Sequence, residues 1–268
     1  MNIKTPWLAF MGDTPSTLEY PKGSMYDCLL ETANTYPDFV AFDFMGKSTT
    51  YAELVKKVDA CAKALKAIGV NENDRITIAM PNSPQAVAMF YAVNKIGAVS
   101  NMIHPLSAEK EIEFYLKEAQ SQVIVTLDQF YSKIESIRPN VNLKSIIIAS
   151  IKDELPFISS IGYALTQGRK IKAPTPDGCV ILWNDFILGG NSVSDDTHVA
   201  RSFNDDSVIL YSGGTTGKTK GIVLTNGNFN ALGRQIIATN SMFTPGDKCL
   251  PLCPYSTVSV LVFAYIQC

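Results

Sequence analysis

Residues 211–221 read Tyr-Ser-Gly-Gly-Thr-Thr-Gly-Lys-Thr-Lys-Gly, and their side chains suit one task, holding phosphate. Glycine permits backbone conformations and close approaches that a Cβ forbids. Gly213, Gly214, Gly217 and Gly221 therefore allow successive backbone N–H groups to converge into an anion nest. The hydroxyls of Ser212, Thr215 and Thr216 add donors, and Lys218 and Lys220 add positive charge. An apolar run, Val208-Ile209-Leu210, precedes the segment and another, Ile222-Val223-Leu224, follows it. The pattern is strand, polar loop, strand.

Two other readings fit less well. A Gly/Thr-rich surface turn is common, but it explains neither the two lysines nor the flanking strands. A Walker loop, G-x-x-x-x-G-K-[ST], shares the ending Gly217-Lys218-Thr219. Its first glycine would fall at position 212, which is Ser. It must also open into a helix, whereas Gly221-Ile222-Val223-Leu224-Thr225 is β-branched and favours a strand.

The segment resembles the phosphate-binding signature of the adenylate-forming enzymes: acyl- and aryl-CoA synthetases, luciferases and peptide-synthetase adenylation domains. Their pattern is roughly [YF]-[ST]-[SG]-G-[TS]-T-G-x-P-K-G-[VI], followed by L-T-H-x-N. This chain matches from Tyr211 to Ile222 and again from Leu224 to Asn228. Thr219 stands where Pro is usual and Asn226 where His is usual. Weaker similarity covers residues 25–251, through AFDFMGKSTTYAEL from Ala41, DRITIAMPN from Asp74, and Ala88–Pro105.

The resemblance implies ATP-dependent activation of a carboxylic acid, fatty or aryl, to acyl-AMP and then to a coenzyme A thioester. A peptide-synthetase adenylation domain and a non-catalytic phosphate-binding remnant stay open beside it. It implies ATP, Mg2+ and coenzyme A as partners of the reaction. Ser212, Gly213, Gly214, Thr215, Thr216, Gly217, Lys218, Lys220 and Gly221 would grip the nucleotide phosphates. Thr216 and Lys220 are the implied catalytic residues, Thr216 through its hydroxyl on phosphate and Lys220 by offsetting charge on the departing pyrophosphate, and no protein metal ligand is expected. The implied fold is α/β, with mostly parallel sheets flanked by helices: the truncated N-terminal large domain of an adenylate-forming enzyme.

Composition agrees with a globular chain. Of 268 residues 46% are hydrophobic, and Lys plus Arg (23) nearly balances Asp plus Glu (25), for a net charge of −2. No nucleic-acid partner is indicated, and oligomeric state is not legible. Six scattered cysteines without a CxxC pair suggest free thiols in a reducing, cytoplasmic setting. The apolar run Val258–Ile266 falls short of the ~20 residues that span a bilayer.

The elements that must position the loop alternate in βαβ rhythm. The spacing predicts helices over Met25–Tyr36, Thr50–Gly69, Ser83–Gly97, Ala108–Ala119, Gln129–Ile137, Val180–Leu188 and Asn228–Thr239. Between them strands are expected at Val40–Phe44, Ser48–Tyr51, Arg75–Met80, Ala98–Met102, Gln122–Thr126 and Ser145–Ile148, and again from Asp247. Thr50 with Glu53 forms a capping box, and Ser83 and Ser107 are expected N-caps. Asp195-Asp196 and Asp205-Asp206 read as solvated acids, His104 and His198 as isolated, and Trp183 as a core anchor.

Past Pro251 the resemblance stops, where relatives of this type carry P-x-F-H-x-x-G. Cys253–Val260 have codons beginning TG, CC, TA, TC, AC, GT, TC and GT. Read one base earlier, with suitable silent third bases, they give L-P-I-F-H-G-F-G. Leu261 as TTG and Val262 extend this to L-G. The expectation is therefore a partial AMP-binding domain over 1–251, an out-of-frame tail over 252–268, and no C-terminal lid domain.

Overall fold

A computed structural model describes residues 5, 10–12, 14–156, 160, 162–163, 165, 171, 174–194, 196–212, 219–240 and 244–247. The expected ligands Gly213–Lys218, the strand continuing past Asp247, and the tail over 252–268 lie outside the described residues.

The chain opens with helix α1 (Met25–Thr35), then the antiparallel hairpin β1 (Val40–Phe44) and β2 (Lys47–Thr50). Helix α2 (Tyr51–Ala67) starts at the capping box: Thr50 Oγ1 accepts from the Glu53 amide at 3.2 Å and Glu53 Oε2 from the Thr50 amide at 2.9 Å. The main sheet follows as β3 (Arg75–Ala79), α3 (Pro84–Lys95), β4 (Val99–Met102), α4 (Glu109–Ala119), β5 (Val123–Leu127), α5 (Tyr131–Ile137) and β6 (Ser145–Ala149). It ends with β7 (Val180–Leu182), α6 (Trp183–Gly189), β8 (Asp206–Ser212), β9 (Lys220–Thr225) and α7 (Asn226–Thr239). Strand order is β7-β6-β5-β3-β4-β8-β9, parallel throughout except for the last pair.

Side chains alternate across this sheet as strand geometry requires. Ile76, Ile78, Val123, Val125, Ile147, Val208 and Leu210 pack with α1, α2, α3, α6 and α7 on one face. On the other, Ile124, Ile146 and Ile148 pack with Ile112 and Leu116 of α4 and Ile134 and Ile137 of α5. Helix α3 is buried along its whole length, so its polar members need partners. Asn94 Oδ1 accepts from the Tyr26 amide at 2.8 Å, and Lys95 Nζ reaches Asp59 Oδ1 at 2.7 Å.

Three local expectations change. Val180–Leu188 is not one helix: Val180–Leu182 form an edge strand in register with Ile146–Ile148, and the helix begins at Trp183. β-Branched Val180 and Ile181 gain more from completing the sheet than from a short helical turn. The N-cap of α4 is Ala108 rather than Ser107; the Ala108 amide donates to Glu111 Oε2 at 3.0 Å, so Glu111 satisfies the helix end. His198 is not isolated, since Nε2 lies 3.0 Å from Asp27 Oδ1, in ion-pair range without hydrogen-bond alignment. Trp183 is buried in the core as expected.

Candidate functional site

The phosphate-type loop is the connection of an antiparallel hairpin. β8 and β9 pair from Asp206↔Thr225 up to Ser212↔Lys220, so the seven residues 213–219 bridge two directly opposed residues. β8 runs parallel to β4, which places Ser212 at the carboxyl ends of the parallel strands. Open α/β sheets bind ligands at that edge. Directly opposed residues on an antiparallel pair share a face, their Cβ atoms ~4.5–5.5 Å apart. The Ser212 hydroxyl and the Lys220 ammonium therefore flank the loop together, Ser212 half-buried and Lys220 exposed.

One residue earlier, Tyr211 ties the hairpin to α4. Its ring lies 4.2 Å from that of Tyr115, and its Oη donates to the Tyr115 carbonyl at 3.2 Å. Burial, then the charge of Glu118, pushes the Tyr211 phenol well above its ordinary range, so it stays neutral and a donor. Gly221 faces this ring across the ladder. Because sides alternate, Tyr211 occupies the α4 face while Ser212 and Lys220 occupy the other.

The far end of the hairpin is fixed by the start of α7. Thr225 Oγ1 accepts from the Asn228 amide at 3.3 Å, and Asn228 Oδ1 accepts from the Thr225 amide at 2.9 Å. This reciprocal cap is the physical content of the L-T-x-x-N spacing. Asn226, fully buried, accepts at Oδ1 from the Met25 amide (3.3 Å) and Asn94 Nδ2 (2.8 Å), and donates to the Ser202 carbonyl at 3.0 Å. The sequence marked Asn226 only as a departure from His; the structure makes it the bolt between hairpin, α1 and α3. The Thr225–Asn228 capping spacing was the available clue, since it sets Asn226 in the first helical turn.

Of the expected site residues, the structure brings together Ser212, Lys220 and Gly221. Gly213, Gly214, Thr215, Thr216, Gly217 and Lys218 lie outside the described residues. A hydroxyl donor and an ammonium on one face at a ligand-binding edge fit a polyphosphate. Among the described residues no group of three or more His, Cys, Asp or Glu is placed to hold a metal ion. Among the described residues no helix is long and apolar enough to cross a membrane.

Comparison with known proteins gives the context. The family model described as AMP-binding enzyme matches residues 29–266. The chain is 32% identical over 240 residues to a long-chain-fatty-acid–CoA ligase of Bacillus subtilis (strain 168), covering 86% of this chain and 42% of that protein. It is 26% identical over 219 residues to an acetyl-coenzyme A synthetase of Coprinopsis cinerea, covering 78% of this chain and 32% of that protein. The crystal structure of a long-chain-fatty-acid-CoA ligase from Archaeoglobus fulgidus shares the fold, with TM-score 0.74 and 19% identity over 94% of this chain and 46% of that one. The chain thus spans less than half the length of these relatives. With the family model matched along most of its length, the chain belongs to the AMP-binding enzyme family.

Proposed function

We propose that this chain carries the phosphate-gripping part of an ATP-dependent acid–thiol ligase. A free carboxylate is a poor acyl donor, because its charge repels nucleophiles and oxide does not leave. In the proposed reaction the carboxylate oxygen attacks the α-phosphorus of ATP, the bond to the bridging oxygen breaks, and pyrophosphate departs. A thiol, that of coenzyme A, then attacks the acyl carbon and releases AMP. The substrate favoured is a long-chain fatty acid, the class named for the B. subtilis relative, with aryl acids next. A cytoplasmic setting is part of the same reading.

The backbone N–H groups of Gly213–Gly217 and the hydroxyls of Ser212, Thr215 and Thr216 would bind the β- and γ-phosphates, with Lys218 at the loop's end. Lys220 would offset the charge that grows on the leaving group, the usual electrostatic resource at phosphorus. The observation that carries this reading is the direct opposition of Ser212 and Lys220 at the carboxyl end of β8.

The test is titration with ATP–Mg2+ by calorimetry, beside an assay of acid-dependent pyrophosphate release. Binding weakened about tenfold by Lys220→Ala is expected, roughly one charge-assisted hydrogen bond. Binding without pyrophosphate release would identify a phosphate-binding remnant; absence of ATP binding would sink the site. We also propose the division at residues 251/252. Sequencing the gene across codons 248–256 tests it: absence of the P-x-F-H-x-x-G pattern from the shifted frame would end that division, and the family model's extent to residue 266 counts against it.

A further inference from the structure

A cavity of about 510 Å3 opens between α2, α3 and α6, near the β6–β7 side of the sheet. That volume lies within the ~300–1,000 Å3 of small-molecule sites. By strand spacing, the ends of β6 and β8 are four strands and roughly 19 Å apart, and no residue of the hairpin lines the cavity.

Most of the wall is apolar. Trp183 and Cys61 line it from the buried interior, Ile187 is half-buried, and Leu188 stands 62% exposed beside them. A leucine left that open at the rim of an apolar cavity gains by being covered. Burial pushes the Cys61 thiol up to about 12, so the sulfur stays neutral and does not repel an anion. Gln85 also borders the cavity, but its Oε1, without a hydrogen-bond partner among the described residues, is sealed from it and offers a ligand nothing.

Charge is confined to one side of the wall, and it does not balance. Lys57 Nζ bonds both carboxylate oxygens of Glu154 at 2.8 Å, and Lys47 Nζ stands 3.6 Å from Glu154 Oε2. Two ammoniums share one carboxylate, which leaves one positive charge over. Asp153, next in sequence, lines the neighbouring cavity with Asp128. The Lys47 and Lys57 side chains are 43% and 33% exposed, so an anion meeting them keeps part of its hydration and escapes the full cost of burial. Lys57 and Cys61 are four residues apart on α2 and share one helix face, ~5–6 Å from one another. An anionic head at the lysines therefore keeps an attached apolar ring against Cys61 and Trp183.

We propose that this cavity binds an amphipathic monoanion, its charged head at Lys47 and Lys57 and its apolar body against Trp183, Ile187 and Leu188. A neutral molecule forgoes the surplus charge, and a cation is repelled by it. The site is separate from the proposed nucleotide site and does not depend on it.

Three probes of one shape test this on the whole chain: 1-naphthoate, the neutral 1-naphthamide and the cationic 1-naphthylmethylammonium. Binding is read from the Trp183 indole signal in nitrogen–proton correlation spectra, which separates this cavity from the hairpin. The expected result is that 1-naphthoate shifts that signal and binds about fivefold more tightly than 1-naphthamide. The cation should bind most weakly, and the differences should shrink at high ionic strength. Lys47→Met leaves Lys57 paired with Glu154 and removes the surplus, so naphthoate and naphthamide should then bind alike. Ile187→Trp, which fills the cavity, should abolish binding of all three. Equal affinity of naphthoate and naphthamide for the native chain, no shift at Trp183, an anion preference that survives Lys47→Met, or undiminished binding by Ile187→Trp would each overturn the proposal. Lys47 is exposed on β2, so the native-chain comparison and Lys47→Met decide the matter even if Ile187→Trp does not fold.

Discussion

Gly221 lies directly across the β8–β9 ladder from Tyr211, and a Cβ at residue 221 would stand 3.3 Å from the Tyr211 ring and 3.4 Å from Ile209 Cγ2. The ring cannot simply withdraw, because the Tyr115 ring lies tilted against it, centroids 4.2 Å apart, and its Oη is engaged. The glycine that closes the phosphate-type segment therefore serves packing, letting β9 lie flat on the ring that ties the hairpin to α4.

Gly221→Ala should destabilise the fold by ~1 kcal/mol, the low end of overpacking costs. The denaturant midpoint measures it. Tyr211→Leu in the same chain should remove most of that added penalty, and an unchanged penalty would show that the ring is not the obstacle.

Tyr211→Phe removes one hydrogen bond and little volume. A loss of ~1 kcal/mol is expected, since the Tyr115 carbonyl loses its side-chain donor. Amide exchange should quicken in β8 and β9 more than in β5 and β6.

Asn226→Ala should be worse, at ~3 kcal/mol, because three hydrogen bonds from a fully buried side chain are lost together. Urea unfolding gives the number. A loss below about 1 kcal/mol would mean that α1 and α3 are held to the hairpin by packing alone.

Gly227 is a second close approach: a Cβ there would overlap the Phe203 ring, while its amide donates to the Phe203 carbonyl at 2.7 Å. Gly227→Ala should cost ~2–3 kcal/mol. Trimming the obstacle with Phe203→Leu should recover part of it, read from midpoints of the single and double variants.

Edge strand β7 carries a pH dependence. Asp177 accepts from Arg138 Nη1 at 2.8 Å and from the Cys179 and Val180 amides at 2.7 Å, and these partners, Arg138 first, hold its carboxyl down at about 2. A lowered folded-state value means the anion's contribution is complete above the ordinary carboxylate range near 4. It is lost as pH falls through about 2. Protection factors of the Cys179 and Val180 amides should fall on acidification over that window, and Asp177→Asn should flatten the change. Constant protection would contradict the assignment.

The sequence by itself determined much here. Alternating helix and strand signals gave the α/β class, and Gly-, Thr- and Lys-rich spacing marked the loop between strands, because such signals lie within a few neighbouring residues. The Thr50–Glu53 cap was legible for the same reason. Only the tertiary structure decided that Val180–Leu182 joins the sheet, since that choice depends on the exposed edge of Ser145–Ala149 far away in the chain. It likewise decided that Ser212 and Lys220 stand opposite one another, that Asn226 bolts the hairpin to two helices, and that Gln85 is left with an unmet acceptor. The edge strand and the Asn226 bonds join segments distant in sequence, and local residue patterns carry no information about which distant partner closes a hydrogen bond; the Ser212–Lys220 opposition depends on the register of the hairpin.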